Sequence, residues 1–143
     1  MAKRPAIPSG YGAITPYLVV KGAAEAIAFY KAAFGAEEVM RMPSENDPEK
    51  LMHAEIKVFG NTVMMSDDFG MEGFKAPSKL GTTTFNLIAG LDKPADVDAA
   101  IARAEKAGAT VITPAADMFW GDRFGMVKDP FGHAWAFNAP LKK

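Results

Sequence analysis

Phe119–Asn138, FWGDRFGMVKDPFGHAWAFN, is the stretch whose reading decides the fold. Arg123–Lys128 and His133–Asn138 read as two strands. Asp129-Pro130-Phe131-Gly132 between them reads as a tight turn, because proline holds φ negative and glycine permits the positive φ of a reversal. Two tryptophans, a histidine, an arginine and several phenylalanines crowd into this one hairpin.

Working outward, the loop 114–121 precedes the hairpin and Thr110–Thr113 forms a short strand before it. Before that strand, Ala95–Ala107 reads as a helix, with Val97, Ile101 and Ala104 on one face, ended by Gly108. Thr82–Ile88 is a strand before the helix. The first half follows the same order. Ala13–Val20 is a strand, with Pro16 pointing to an edge or a strand start. Ala23–Phe34 is a helix carrying Ile27, Tyr30 and Phe34, ended by Gly35. Glu37–Met42 is a strand and 43–50 a polar loop. In Leu51–Phe59 the residues Met52, Ala54, Ile56 and Val58 alternate with His53, Glu55 and Lys57, the pattern of a half-buried strand. Gly60-Asn61 turns the chain into Thr62–Ser66. The loop Asp67–Leu80, DDFGMEGFKAPSKL, brings exposed Phe and Met residues that either cover a pocket or pack on its rim.

Strand, helix, strand, strand, strand therefore occurs twice, a supersecondary repeat of roughly 70 residues. One helix covers only one face of a four-stranded sheet. The expected architecture is α+β: two βαβββ modules, about 13–67 and 82–139 within a single domain 1–143, forming a cupped, barrel-like mixed sheet around a cavity, helices outside.

Composition narrows the function classes. The 143 residues are 49% hydrophobic and 23% charged, as in a globular protein with a proper core. A net charge of -1 leaves no footprint for nucleic acid or an anionic membrane. With no cysteine there is no disulfide, thiolate metal site or thiol nucleophile, and a cytoplasmic location is expected. The opening MAKRPAIPSGYG reads as a loose arm rather than a targeting segment, and no run is apolar enough to suggest a membrane span. The nine methionines suit core filling or an adaptable binding surface. No G-x-S-x-G, P-loop or dinucleotide glycine pattern is present.

With its D-P-F-G-H turn, the doubled architecture resembles the vicinal oxygen chelate superfamily of glyoxalases, bleomycin resistance proteins and extradiol dioxygenases. IAFYKAAFGAE, HAEIKVFGNTVMMSDD, DVDAAIARAEKAGA and FWGDRFGMVKDPFGHAW resemble its PhnB-like branch. The resemblance covers about residues 13–139 and implies a homodimer. It also implies four metal-ligand positions, one on the first and one on the last strand of each module. Carried over, these fall on Thr15, on Met64 or Met65, near Thr84, and on Ala136, where the turn sets the register. None is a usual ligand for a hard divalent ion. No cofactor or metal is therefore expected.

Two classes of function remain. One is metal-independent small-molecule binding in the cavity between the modules, with Tyr17, His53, Glu55, Met65, Asn86, Trp120 and Arg123 as the expected ligand-binding side chains. The other is a lyase or dioxygenase of the glyoxalase type with a displaced metal near His53, Glu55 and Asp67, the first two on one strand face. A scaffold with its cavity filled by Tyr17, Met65 and Trp120 is a third. His133 shares parity with Trp135 and Phe137, which favours a structural role. Arg123 either pairs with Asp122 or Asp129 as structure, or points inward to an anionic ligand beside Trp120. No catalytic residue is assigned.

Overall fold

The computed structural model describes Gly12 and residues 14–142. Eight strands and three helices follow in order: β1 Tyr17–Val20, α1 Ala23–Phe34, β2 Glu37–Pro43, β3 Leu51–Val58, β4 Asn61–Asp67, α2 Pro77–Leu80, β5 Asn86–Gly90, α3 Pro94–Ala107, β6 Thr110–Asp117, β7 Asp122–Lys128 and β8 Ala134–Pro140. They build two four-stranded sheets, ordered β1-β4-β3-β2 and β5-β8-β7-β6. In each, the first strand runs parallel to the last and the rest are antiparallel. The architecture is α+β, two βαβββ units, and the sheets are not closed into a barrel. Helices α1 and α3 pack against each other, and among the described residues no strand of one sheet adjoins a strand of the other.

Three strand boundaries differ from the sequence reading by more than a residue or two, each for a backbone reason. β1 begins at Tyr17; Pro16 has no N–H to offer, though its carbonyl accepts from Met64 N at 2.9 Å. Ala13, placed in this strand from the sequence, lies outside the described residues. Thr82–Thr84 are not in β5, because its partner β8 starts opposite Asn86, at Ala134, and residues further back have no ladder to join. β6 runs on past Thr113 through Pro114, which an edge strand with an irregular register tolerates.

The core lies on the helix side of both sheets. Leu18, Val20, Ala54, Ile56, Val63 and Met65 from the first sheet meet Val127, Trp135 and Phe137 from the second around Ile27, Tyr30 and Phe34 of α1. Tyr30 stacks on Phe34 at 5.8 Å, and Phe34 lies 4.7 Å from Trp135. Asp129, in the turn before β8, ties this cluster together. Its Oδ2 accepts from Tyr30 Oη at 2.6 Å and from Trp135 Nε1 at 2.9 Å. Its Oδ1 accepts from Phe131 N at 2.9 Å and His133 N at 3.0 Å. Burial, and next the Asp129 carboxylate beside it, raises the Tyr30 phenol well above its usual range, which keeps it a donor. Tyr30 belongs to the first module and Asp129 to the second, so the turn of the hairpin is also a joint between modules.

Arg103 of α3 makes a second joint. It donates from Nε to Ala32 O at 2.8 Å and from Nη2 to Lys31 O at 3.4 Å, satisfying carbonyls in the last turn of α1. Gly125 allows α3 to sit close on β7: a Cβ there would collide with Ile101 Cδ1 and lie 3.2 Å from the Ala115 backbone. Gly125→Ala is therefore expected to cost about 1–3 kcal/mol of stability through overpacking. Urea denaturation checks this, and a change within about 0.5 kcal/mol would refute the close-approach role.

Candidate functional site

The face of the first sheet turned away from α1 carries the side chains opposite in parity to the core. Tyr17 on β1 stands beside Met64 on β4, and Met64 beside Glu55 on β3. Met42 of β2 pairs with His53. Three of the expected residues meet here. Tyr17 Oη lies 3.0 Å from His53 Nδ1, and His53 Nε2 lies 3.2 Å from Glu55 Oε2. The Tyr17 and His53 rings are tilted against each other at 5.5 Å. The i, i+2 spacing of His53 and Glu55 makes their meeting a direct result of strand period.

The loop after β4 folds over this face. Asp68 pins it: Oδ1 accepts from Gly70 N at 2.7 Å and Oδ2 from Ala76 N at 2.7 Å. These N–H groups, Ala76 first, hold the Asp68 carboxyl below its usual range. Phe74 thereby meets Tyr17 edge-on at 5.6 Å. Between loop and sheet is a cavity of about 370 Å³, walled by Met52, Phe69, Met71 and Phe74 on its apolar side. Tyr17, Ser44, Asn46, Ser66 and Asp67 supply the polar groups. A largely apolar hollow with a few polar groups, at roughly 300–1,000 Å³, is what small-molecule sites look like. Other hollows of comparable size have more polar walls; one is bordered by Lys21, Lys50, Asp68 and Lys79.

Asp67 has a different task from the one the displaced metal reading needs. Its Oδ1 accepts from Gly22 N at 2.7 Å and Ala23 N at 3.1 Å, capping α1 from a distant strand. Its Oδ2 accepts from Leu51 N at 2.8 Å, holding the start of β3. Among the described residues no three His, Asp or Glu side chains converge as a metal ligand set.

The other expected residues lie elsewhere. Met65 is fully buried in the helix-side core, and its neighbour Met64 takes the Tyr17 face, because side chains alternate along a strand. Asn86 is exposed on the second sheet, opposite Ala134. Trp120 sits at the β6–β7 turn, edge-on to Phe119 at 5.1 Å. Arg123 grips Asp98 with Nε and Nη2 at 2.7 and 2.8 Å and Asp117 with Nη1 at 2.8 Å; neither Asp122 nor Asp129 is its partner. Asp98 lies on α3, a contact that sequence neighbours do not suggest. His133 is buried and donates from Nε2 to Val19 O at 2.9 Å, a structural bond from the second module to the first. The cavity is lined by residues 17–74 alone, so within one chain it is not between the modules. Strand alternation alone puts Met52 on the buried side of β3 with Ala54, Ile56 and Val58, but it is exposed. The register irregularity at Met42/Pro43 puts Leu51 in the core instead and leaves Met52 on the cavity wall.

Comparison with known proteins agrees with this architecture. The family model of the Glyoxalase/Bleomycin resistance protein/Dioxygenase superfamily matches residues 11–137. The chain belongs to this superfamily. It is 45% identical over 134 residues to the uncharacterized Mycobacterium tuberculosis protein Rv0887c, covering 92% of this chain and 76% of that protein. The crystal structure of TioX from Micromonospora sp. ML1 matches with a TM-score of 0.69 at 25% identity, over 91% of this chain and 99% of that one. The PhnB protein from Bacillus cereus has the same fold, with a TM-score of 0.70 at 20% identity over 90% of this chain and 99% of that one.

Metal-dependent glyoxalases of the superfamily use a divalent metal. The donor set here does not fit one. Ala136 faces away from the helix-side core and carries no donor atom, Met65 is inside the core, Met64 offers only a thioether, and Thr15 and Thr84 only hydroxyls. Among the described residues no helix is long and apolar enough to cross a membrane.

Proposed function

We propose that this member of the glyoxalase/bleomycin resistance superfamily binds a small, mostly apolar molecule without a metal, in the hollow between the first sheet and the loop 68–76. The observation that carries this reading is the hollow itself: Met52, Phe69, Met71 and Phe74 wall it, and Tyr17 stands at the head of a side-chain hydrogen-bond chain. The reading places the protein in the cytoplasm as a homodimer, with no nucleic acid or membrane partner. The second sheet's outer face and the β6–β7 turn suit a second copy, since Ile88 is exposed there and Phe119 is 98% exposed.

Titration with the neutral fluorophore N-phenyl-1-naphthylamine tests the site. Saturable binding is expected, weakened about tenfold by Phe74→Ala through lost apolar contact. Dialysis against a chelator leaves the affinity unchanged on this reading. Binding that Phe74→Ala does not alter would place the ligand elsewhere. Stoichiometric divalent metal, lost in His53→Ala, would favour a metal enzyme instead.

A further inference from the structure

The hydrogen-bond chain behind Tyr17 runs in one direction, and that direction selects the ligand. Glu55, as a carboxylate, can only accept, so His53 Nε2 at 3.2 Å carries the hydrogen. In the neutral form of the ring that tautomer leaves a bare lone pair on Nδ1, positioned to accept the Tyr17 hydroxyl hydrogen at 3.0 Å. With the ring in that form, Tyr17's only proton is committed inward. Among the described residues its oxygen makes no hydrogen bond other than this one. Its remaining lone pairs are acceptors, and the chain of bonds polarises them further.

We infer that the hollow selects a hydroxyl-bearing apolar molecule of the phenol type, whose O–H donates to Tyr17 Oη. This rests on the binding reading above and adds the ligand class. The rest of the wall supports it. Asp67, the one carboxylate in the lining, already holds three backbone N–H groups and does not call for a cation. Lys50 Nζ sits 5.5 Å over the Phe69 ring at the rim, where a second positive charge is disfavoured. A neutral donor on an apolar ring meets both conditions. An ether of the same shape leaves the Tyr17 acceptor unanswered and brings its own oxygen against it.

A matched pair of probes, 2-naphthol and 2-methoxynaphthalene, tests the inference by fluorescence titration. The ratio of their affinities is the readout, so a general loss of binding does not mimic the effect. The unaltered protein should prefer the naphthol by on the order of tenfold. Tyr17→Phe should abolish the preference. His53→Ala should also shrink it, because the freed Tyr17 hydroxyl can then donate to the ether oxygen. Glu55→Gln should reduce it too, since an amide no longer dictates the ring tautomer. Equal binding of both probes by the unaltered protein overturns the inference and leaves the binding reading standing. So does a preference that survives Tyr17→Phe or is unchanged in His53→Ala. Failure of both probes to bind while N-phenyl-1-naphthylamine still binds overturns the inference alone, and failure of all three overturns the reading on which it rests.

Discussion

Asp129→Ala should lower the unfolding free energy by about 3–5 kcal/mol, the largest effect expected of a single change in the hairpin. The carboxylate is 3% exposed and holds two side-chain and two backbone donors. Alanine removes every acceptor at once. Each buried donor left unpaired costs about 1–3 kcal/mol, and water entering the small void recovers part of the total. Asp129→Asn keeps the shape but turns an N–H₂ toward donors, so a loss of about half that size is expected. Tyr30→Phe removes one donor together with its partner's need and should cost only about 1 kcal/mol. Urea denaturation of the series separates these cases: midpoints should fall in this order while the slope stays constant. A loss of less than about 1 kcal/mol in Asp129→Ala would show that the turn folds without its carboxylate.

Asp67→Ala is the second large effect, about 2–4 kcal/mol, and it has a functional side. The residue caps α1 through Gly22 N and Ala23 N and secures β3 through Leu51 N. A carboxylate at a helix N-terminus also meets the positive end of the helix dipole. Asp67→Asn should retain most of the cap, because one amide oxygen can serve it, and lose mainly the bond to Leu51; about 1–2 kcal/mol is expected. Ser44, Met52 and the loop 68–76 flank that junction, so Asp67→Ala should weaken naphthylamine binding even where the variant remains folded. Thermal unfolding and probe titration on the same samples check both parts. Unchanged stability in Asp67→Ala would remove its role as a strap.

Much of the fold was legible because both periodicities were clean. The α1 boundaries follow from an alanine-rich run closed by Gly35, and β3 from the alternation of His53, Glu55 and Lys57 with buried neighbours. The D-P-F-G turn located β7 and β8 to within a residue or two. The site was legible only where strand period decided it, in the meeting of His53 with Glu55 and their access to Tyr17. Met65 was misplaced against Met64 because both are methionines and composition does not say which faces a helix. Met52 was misplaced by a bulge that no residue pattern marks. Arg123 found Asp98 on α3, and Asp67 found the start of α1. Both contacts arise from packing across many residues of sequence, which periodicity does not encode. The way the loop 68–76 closes over the sheet depends on Asp68 reaching Gly70 and Ala76, a local bond that the sequence offers only as one option among several.

The joints at Asp129 and Arg103 give the duplication a history-like asymmetry. A βαβββ unit that arose as a copy would begin with every bond internal to itself. Here Tyr30 of the first copy depends on a carboxylate in the second, the last turn of α1 on a guanidinium from α3, and Val19 on the His133 imidazole just before β8. The copies have exchanged their obligations. Cutting the chain between them would leave donors stranded on one fragment and acceptors on the other, so what the sequence displays as two repeats is expected to unfold in one cooperative transition.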